Sequence, residues 1–171
     1  NDMLRPRTRI EHIADAFTHV LKRCDEEGVR LILLSGANPS LQLPMGRLIN
    51  RRGDDLSVAV LRRIEGRDDV VRALNWHDPD LAGPSFWSLD RLHMNDPGHH
   101  RVAARVLEAI GETVPDSWWS LPRTGPASAR GLQYYREYVG PWLRRRLTGT
   151  SSGDGRTAKY ADWTTIAPTA S

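Results

Sequence analysis

Cys24 is the only cysteine among 171 residues, so no internal disulfide can form, and the count gives no support to a cysteine-based zinc site or stapled secreted scaffold. A reducing, cytoplasmic setting is the expectation that follows. No apolar run exceeds four residues, as at Leu31-Ile32-Leu33-Leu34, against the roughly 20 that a membrane-spanning helix needs. The chain is therefore expected to have no membrane partner. No charged-then-apolar leader follows Asn1, which predicts that a signal peptide was removed or never existed. What is present suffices for one core: 39% of the side chains are hydrophobic and 26% charged, which argues against disorder. No internal repeat is visible.

The formal net charge of +3 is unevenly placed. Residues 1–119 carry 16 basic and 18 acidic side chains, whereas residues 120–171 carry 8 basic and 3 acidic. A cationic C-terminal segment could attract an anionic partner. Its charges are spread out, and only Arg144-Arg145-Arg146 forms a run, so a solvated face without a nucleic-acid partner is expected.

The pattern of elements alternates. Thr8-Arg9-Ile10-Glu11 has the form of a capping box, and Ile10, Ile13, Ala14, Phe17, Val20, Leu21 and Cys24 then recur at helical spacing up to a stop at Gly28. Val29 to Leu34 follows without polar alternation, which predicts a strand covered on both faces. A loop over 35–40 leads to a second helical stripe through Leu48, Ile49, Leu56, Val60 and Ile64, with an interruption expected at Gly53. A second strand is predicted near Val70 to Leu74. Asn95-Asp96-Pro97 supplies a cap and an early helical proline, and Val102, Val106, Leu107 and Ile110 give the buried side of a helix stopped by Gly111.

Strands separated by helices imply an α/β fold with a parallel sheet. Two strands are too few to complete such a sheet, so an upstream segment or a second chain is expected to supply the rest. The predicted organisation is an α/β unit over residues 1–111, a Trp/Pro-rich segment and amphipathic helix over 112–147, bent at Gly140-Pro141, and a mobile tail over 148–171.

The stretch richest in chemistry is Trp87-Ser88-Leu89-Asp90-Arg91-Leu92-His93-Met94-Asn95-Asp96-Pro97-Gly98-His99. An aspartate three residues before a histidine, in a loop entering a helix, can fold back and accept a hydrogen bond from one ring nitrogen. The other nitrogen is then free to act as a base. Asp-x-x-His alone arises often by chance, and a structural hydrogen bond is the competing reading.

Asp90 through His99, opening the last helix of the α/β unit, resembles the final motif of the SGNH, or GDSL-like, hydrolases. The opening Asn1-Asp2 resembles the end of that family's Gly-x-Asn-Asp motif, and the resemblance covers residues 1 to about 111. It implies a three-layer α/β/α parallel sheet and an ester hydrolase acting through a Ser-His-Asp triad. Asp90 would orient His93, His93 would be general base and then acid, and the Asn1 side chain would stabilise the oxyanion. The implied substrate is a small ester, and no metal or organic cofactor is required.

The family's nucleophile lies in a Gly-Asp-Ser motif ahead of these elements, and no Gly-Asp-Ser occurs in residues 1–171. Ser35 follows a strand but lacks that context, so no serine here is assigned as nucleophile. The expectation is a C-terminal part of a longer hydrolase, inactive by itself. The C-terminal Tyr138 to Leu147 stretch resembles an extension found in some actinobacterial members.

Other groups have plainer readings. His77 with Asp78 and Asp80, and His93 with His99 and His100, suggest metal ligands, but the spacing matches no ligand pattern and no metal is expected. Trp76 and Trp87 fit either an acyl pocket or the core. Trp118, Trp119, Tyr134, Tyr135, Tyr138 and Trp142 at helical spacing predict packing of the extension. The rival to the hydrolase is a non-catalytic α/β remnant whose basic, aromatic extension binds a partner.

Overall fold

The computed structural model describes residues 8–120, 131–148 and 155–157. Contacts divide the chain into one unit over Asn1–Ala129 and another over Arg130–Ser171. The first is α/β: α1 (Ile10–Glu27), β1 (Ile32–Leu34), α2 (Gly46–Arg63), β2 (Val71–Ala73) and α3 (Asp96–Ala109). β1 and β2 are parallel, with Ile32 opposite Val71 and Leu34 opposite Ala73. Among the described residues the sheet has these two strands only. No described helix is long and apolar enough to cross a membrane.

α1 ends where a left-handed residue is needed: Gly28 has φ 64°, and its amide and that of Val29 close back onto Asp25 and Cys24. Its start corrects the capping-box reading. The N-cap is Arg9, with no side-chain cap, and Glu11 is drawn instead to Arg63 of α2 at 2.8 Å. A guanidinium 52 residues along the chain, which also holds Asp15 at 2.6 Å, competes successfully for that carboxylate.

Leu31 and Leu33 pack on the cluster of Leu21, Ile64 and Val70 beneath α1 and α2. The alternate residues Ile32 and Leu34 are 37% and 50% exposed, so β1 is not covered on both faces as its apolar run predicts. The cause is local: α3 packs on β2, where Ala73 is fully buried, and β1 has no further strand beside it among the described residues. Such an edge is ready to pair with another strand.

α2 runs unbroken through Gly53, contrary to the interruption expected there. The glycine serves packing. A Cβ at this position would lie 1.8 Å from Cζ2 of the Trp76 ring, whose Nε1 donates to Asp54 Oδ1 at 2.8 Å. Gly→Ala in a helix usually gains about 1 kcal/mol. Gly53→Ala is expected to reverse that sign and cost about 1–3 kcal/mol, because the indole must leave its site. A urea melt followed by tryptophan fluorescence would check it.

In the second unit, α4 (Leu132–Tyr134) passes into a π-helical turn (Tyr135–Val139) and then α5 (Gly140–Thr148). The bend expected at Gly140-Pro141 is realised as this wider turn. Pro141 has no amide to donate to residue 137 and its ring crowds that carbonyl, so the helix widens before it. Tyr134 is buried and its ring lies 5.8 Å from that of Tyr138. Most of the expected tail, residues 149–154 and 158–171, lies outside the described residues, as do Asn1 and Asp2.

Candidate active site

β2 ends at Ala73, and the chain then travels 22 residues before α3 begins. Three apolar side chains, Leu81, Phe86 and Trp87, anchor that loop in a buried cluster with Ala37, Met94 and Val102. The Trp87 indole donates to Leu81 O at 2.8 Å. Trp76 and Trp87 are 8% and 3% exposed and belong to the core. Trp87 and Met94 face each other in an antiparallel bridge, and the Ser88 amide donates to His93 O at 2.8 Å. Residues 88–93 thus form a closed loop on a rigid base.

Asp90 organises the tip of that loop. Its Oδ1 accepts from the amides of Leu92 and His93, both at 3.0 Å, while Arg91, between Asp90 and Leu92, takes the left-handed conformation at φ 59°. Its Oδ2 lies 2.5 Å from His93 Nδ1. One carboxylate oxygen therefore holds the backbone turn and the other holds the ring. Burial alone would raise the Asp90 carboxyl, but the His93 ring and the two amides outweigh it and hold it below the usual carboxylate range. In the neutral ring, an ionised oxygen opposite Nδ1 places the proton there and leaves Nε2 with its lone pair. Nε2 has no hydrogen-bond partner among the described residues, and the His93 side chain is 76% exposed against 24% for Asp90.

The far end of the loop is clamped by Asn95. Its Oδ1 accepts from the Gly98 amide at 3.1 Å, capping α3, and its Nδ2 donates to Ser85 O at 2.8 Å. Gly98 is required as well, since a Cβ there would sit 2.4 Å from Phe86 O. Asn95→Ala is expected to cost about 1–2 kcal/mol through the lost cap. Thermal melts would show it, together with faster amide exchange at residues 88–93.

Beneath the loop lies a network that local spacing does not reveal. His77 points to a different partner from Asp78 and Asp80. His77 Nε2 lies 3.2 Å from Asp54, while Asp78 and Asp80 turn to α3. Arg101 reaches Asp78 at 2.9 Å, Asp80 at 2.5 Å and the carbonyl of Trp119 at 3.0 Å, and Arg105 reaches Asp78 at 2.5 Å. The Asp78 side chain is fully buried. Burial pushes its carboxyl upward, yet the two guanidinium groups hold it below its ordinary range. His100 stacks on Trp118 with ring centroids 4.9 Å apart. No cluster of three ligating side chains occurs among the described residues.

Two nearby hydroxyls are engaged elsewhere. Ser88 Oγ donates to Met94 O, and Ser35 Oγ accepts from the amides of Asn75 and Trp76, joining the carboxyl ends of the two strands. No described hydroxyl is hydrogen-bonded to the His93 ring. The structure thus brings Asp90 and His93 together, while Asn1 lies outside the described residues. No family model, no curated protein and no solved structure matches the chain.

Proposed function

We propose that Asp90 and His93 form the acid/base half of a Ser-His-Asp triad in an SGNH-type ester hydrolase acting on a small acyl ester. The observation that supports this reading is the 2.5 Å contact between Asp90 Oδ2 and His93 Nδ1, made by a part-buried carboxylate to an exposed ring whose Nε2 is uncommitted. Such a ring can take a proton from a nucleophilic hydroxyl as that hydroxyl attacks the ester carbonyl. It can then return the proton to the departing alkoxide, while Asp90 stabilises the imidazolium between the two steps.

The hydroxyl would come from a segment outside these 171 residues, since none carries Gly-Asp-Ser. Asn1 would donate its amide to the oxyanion, a contribution of roughly 3–4 kcal/mol in well-studied hydrolases. The same segment, or a second chain, would extend the two strands into the three-layer α/β/α sheet, adding beside β1, which has β2 as its one strand neighbour among the described residues. The test is p-nitrophenyl acetate hydrolysis by a polypeptide extended upstream through the hydroxyl-bearing motif. His93→Ala should remove the activity, and equal rates from both proteins would take His93 out of the mechanism.

A further inference from the structure

We propose that the second unit holds a binding site for a compact phosphate polyanion, a di- or triphosphate, in the groove lined by Arg136, Gly140, Pro141, Arg144, Arg145 and Thr148. The reasoning does not depend on the hydrolase reading. It begins from the local charge balance. In the α/β unit Arg23, Arg63, Arg67, Arg101 and Arg105 each meet one or more carboxylates, whereas Arg72 meets only carbonyls and Arg9 and Arg30 stand apart from one another on the surface. Arg136, Arg144 and Arg145 meet none, and among the described residues their side chains make no hydrogen bond or ion pair. The one carboxylate described in this unit, Glu137, instead accepts from Gln133 at 3.1 Å. Three arginines therefore line one groove without a counter-charge from the described residues.

The helix geometry explains why they meet. Arg136 and Arg145 are nine positions apart, which in a regular α-helix is about two and a half turns and places them on opposite faces. The π-helical turn Tyr135–Val139 contains Arg136 and has more residues per turn than an α-helix, so the later arginines rotate toward Arg136. Widened turns of this kind recur at functional sites. Gly140 contributes no side chain to the floor and Pro141 only a compact ring, so the space between the arginines stays open.

Ligand class follows from charge and size. The groove encloses about 650 Å³, within the range of small-molecule sites. Planar guanidinium forks match the paired oxygens of phosphate groups, and three of them call for an anion of two to four charges held close together. A di- or triphosphate meets both conditions, and a single carboxylate meets neither.

The test is calorimetric titration of the whole chain with inorganic pyrophosphate, then with a series of oligothymidylates of increasing length. The expected result is saturable one-to-one pyrophosphate binding that weakens as sodium chloride is added. Arg136→Gln and the double variant Arg144→Gln/Arg145→Gln should each weaken it at least about tenfold, as loss of charge-assisted hydrogen bonds requires. Arg9→Gln, outside the groove, should bind like the parent, and circular dichroism should show unchanged helix content in every variant. Pyrophosphate that does not saturate, or that binds the groove variants as well as the parent, would overturn the proposal. So would binding only to oligonucleotides, tightening with their length, which would mark the groove as a nucleic-acid surface.

Discussion

Asp78→Ala is expected to cost about 3–5 kcal/mol of folding stability, the largest effect of any single substitution in the α/β unit. Asp78 is fully buried and accepts from Arg101 and Arg105, and the Arg101 side chain is itself 8% exposed. Removing the carboxylate takes the one fully buried counter-charge from Arg101, leaving it the half-exposed Asp80 and the Trp119 carbonyl, in a site where water can scarcely reach it. That penalty far exceeds the net gain of the intact pair, because much of the Coulomb attraction offsets the desolvation of both ions. The double variant Asp78→Leu/Arg101→Met should therefore recover most of the loss. Against a typical total of about 5–15 kcal/mol, the single variant would sit near the edge of folding.

The pH dependence has a definite sign. The Asp78 carboxyl is depressed in the folded protein, so its contribution is fully present above the unfolded carboxylate range near pH 4 and is lost as pH falls below it. Urea melts should show stability falling on acidification in the parent and falling less steeply in the double variant. A single-variant loss below about 1 kcal/mol would mean that the pair is solvated in solution.

His93→Ala is expected to lower ester hydrolysis in the nucleophile-bearing polypeptide by about 10⁴–10⁶-fold, and Asp90→Asn by about 10⁴-fold. The asymmetry has a reason. Without His93 nothing accepts the hydroxyl proton. In Asp90→Asn the ring remains, but the new amide can donate toward Nδ1, and the ring proton then moves to Nε2, where the lone pair is needed. Combining the two substitutions should cost little beyond His93→Ala alone, because the groups act as one unit. Additive losses would indicate separate roles. Asp90 Oδ1 also binds the amides of Leu92 and His93, and the carbonyl oxygen left by Asp90→Asn can still accept from them, so the loop should keep its shape.

What could be read from the sequence was what is local along the chain. The Gly28 stop, the Asn95 cap with Pro97 behind it, and the closeness of Asp90 to His93 all follow from residues within four positions of each other. Contacts between distant residues were not legible. Glu11 satisfies a capping pattern but is taken by Arg63, and Gly53 looks like a helix break until the Trp76 ring is seen against it. Nothing near Asp78 says that its partners are Arg101 and Arg105, more than 20 positions away. The apolar run at β1 predicts burial on both faces, but burial depends on neighbours that the run does not encode. The widened turn before Pro141 is intermediate: the proline signals a disturbance, and only the backbone shows its form.

The most direct test uses the chain as it stands. Nitrogen-15 NMR of His93 at mildly alkaline pH should find the ring proton on Nδ1 and an unprotonated Nε2 in the parent, and the Asp90→Asn variant should lose that preference. A parent ring with its proton on Nε2, or one indistinguishable from the variant, would mean that Asp90 does not prepare His93 to act as a base.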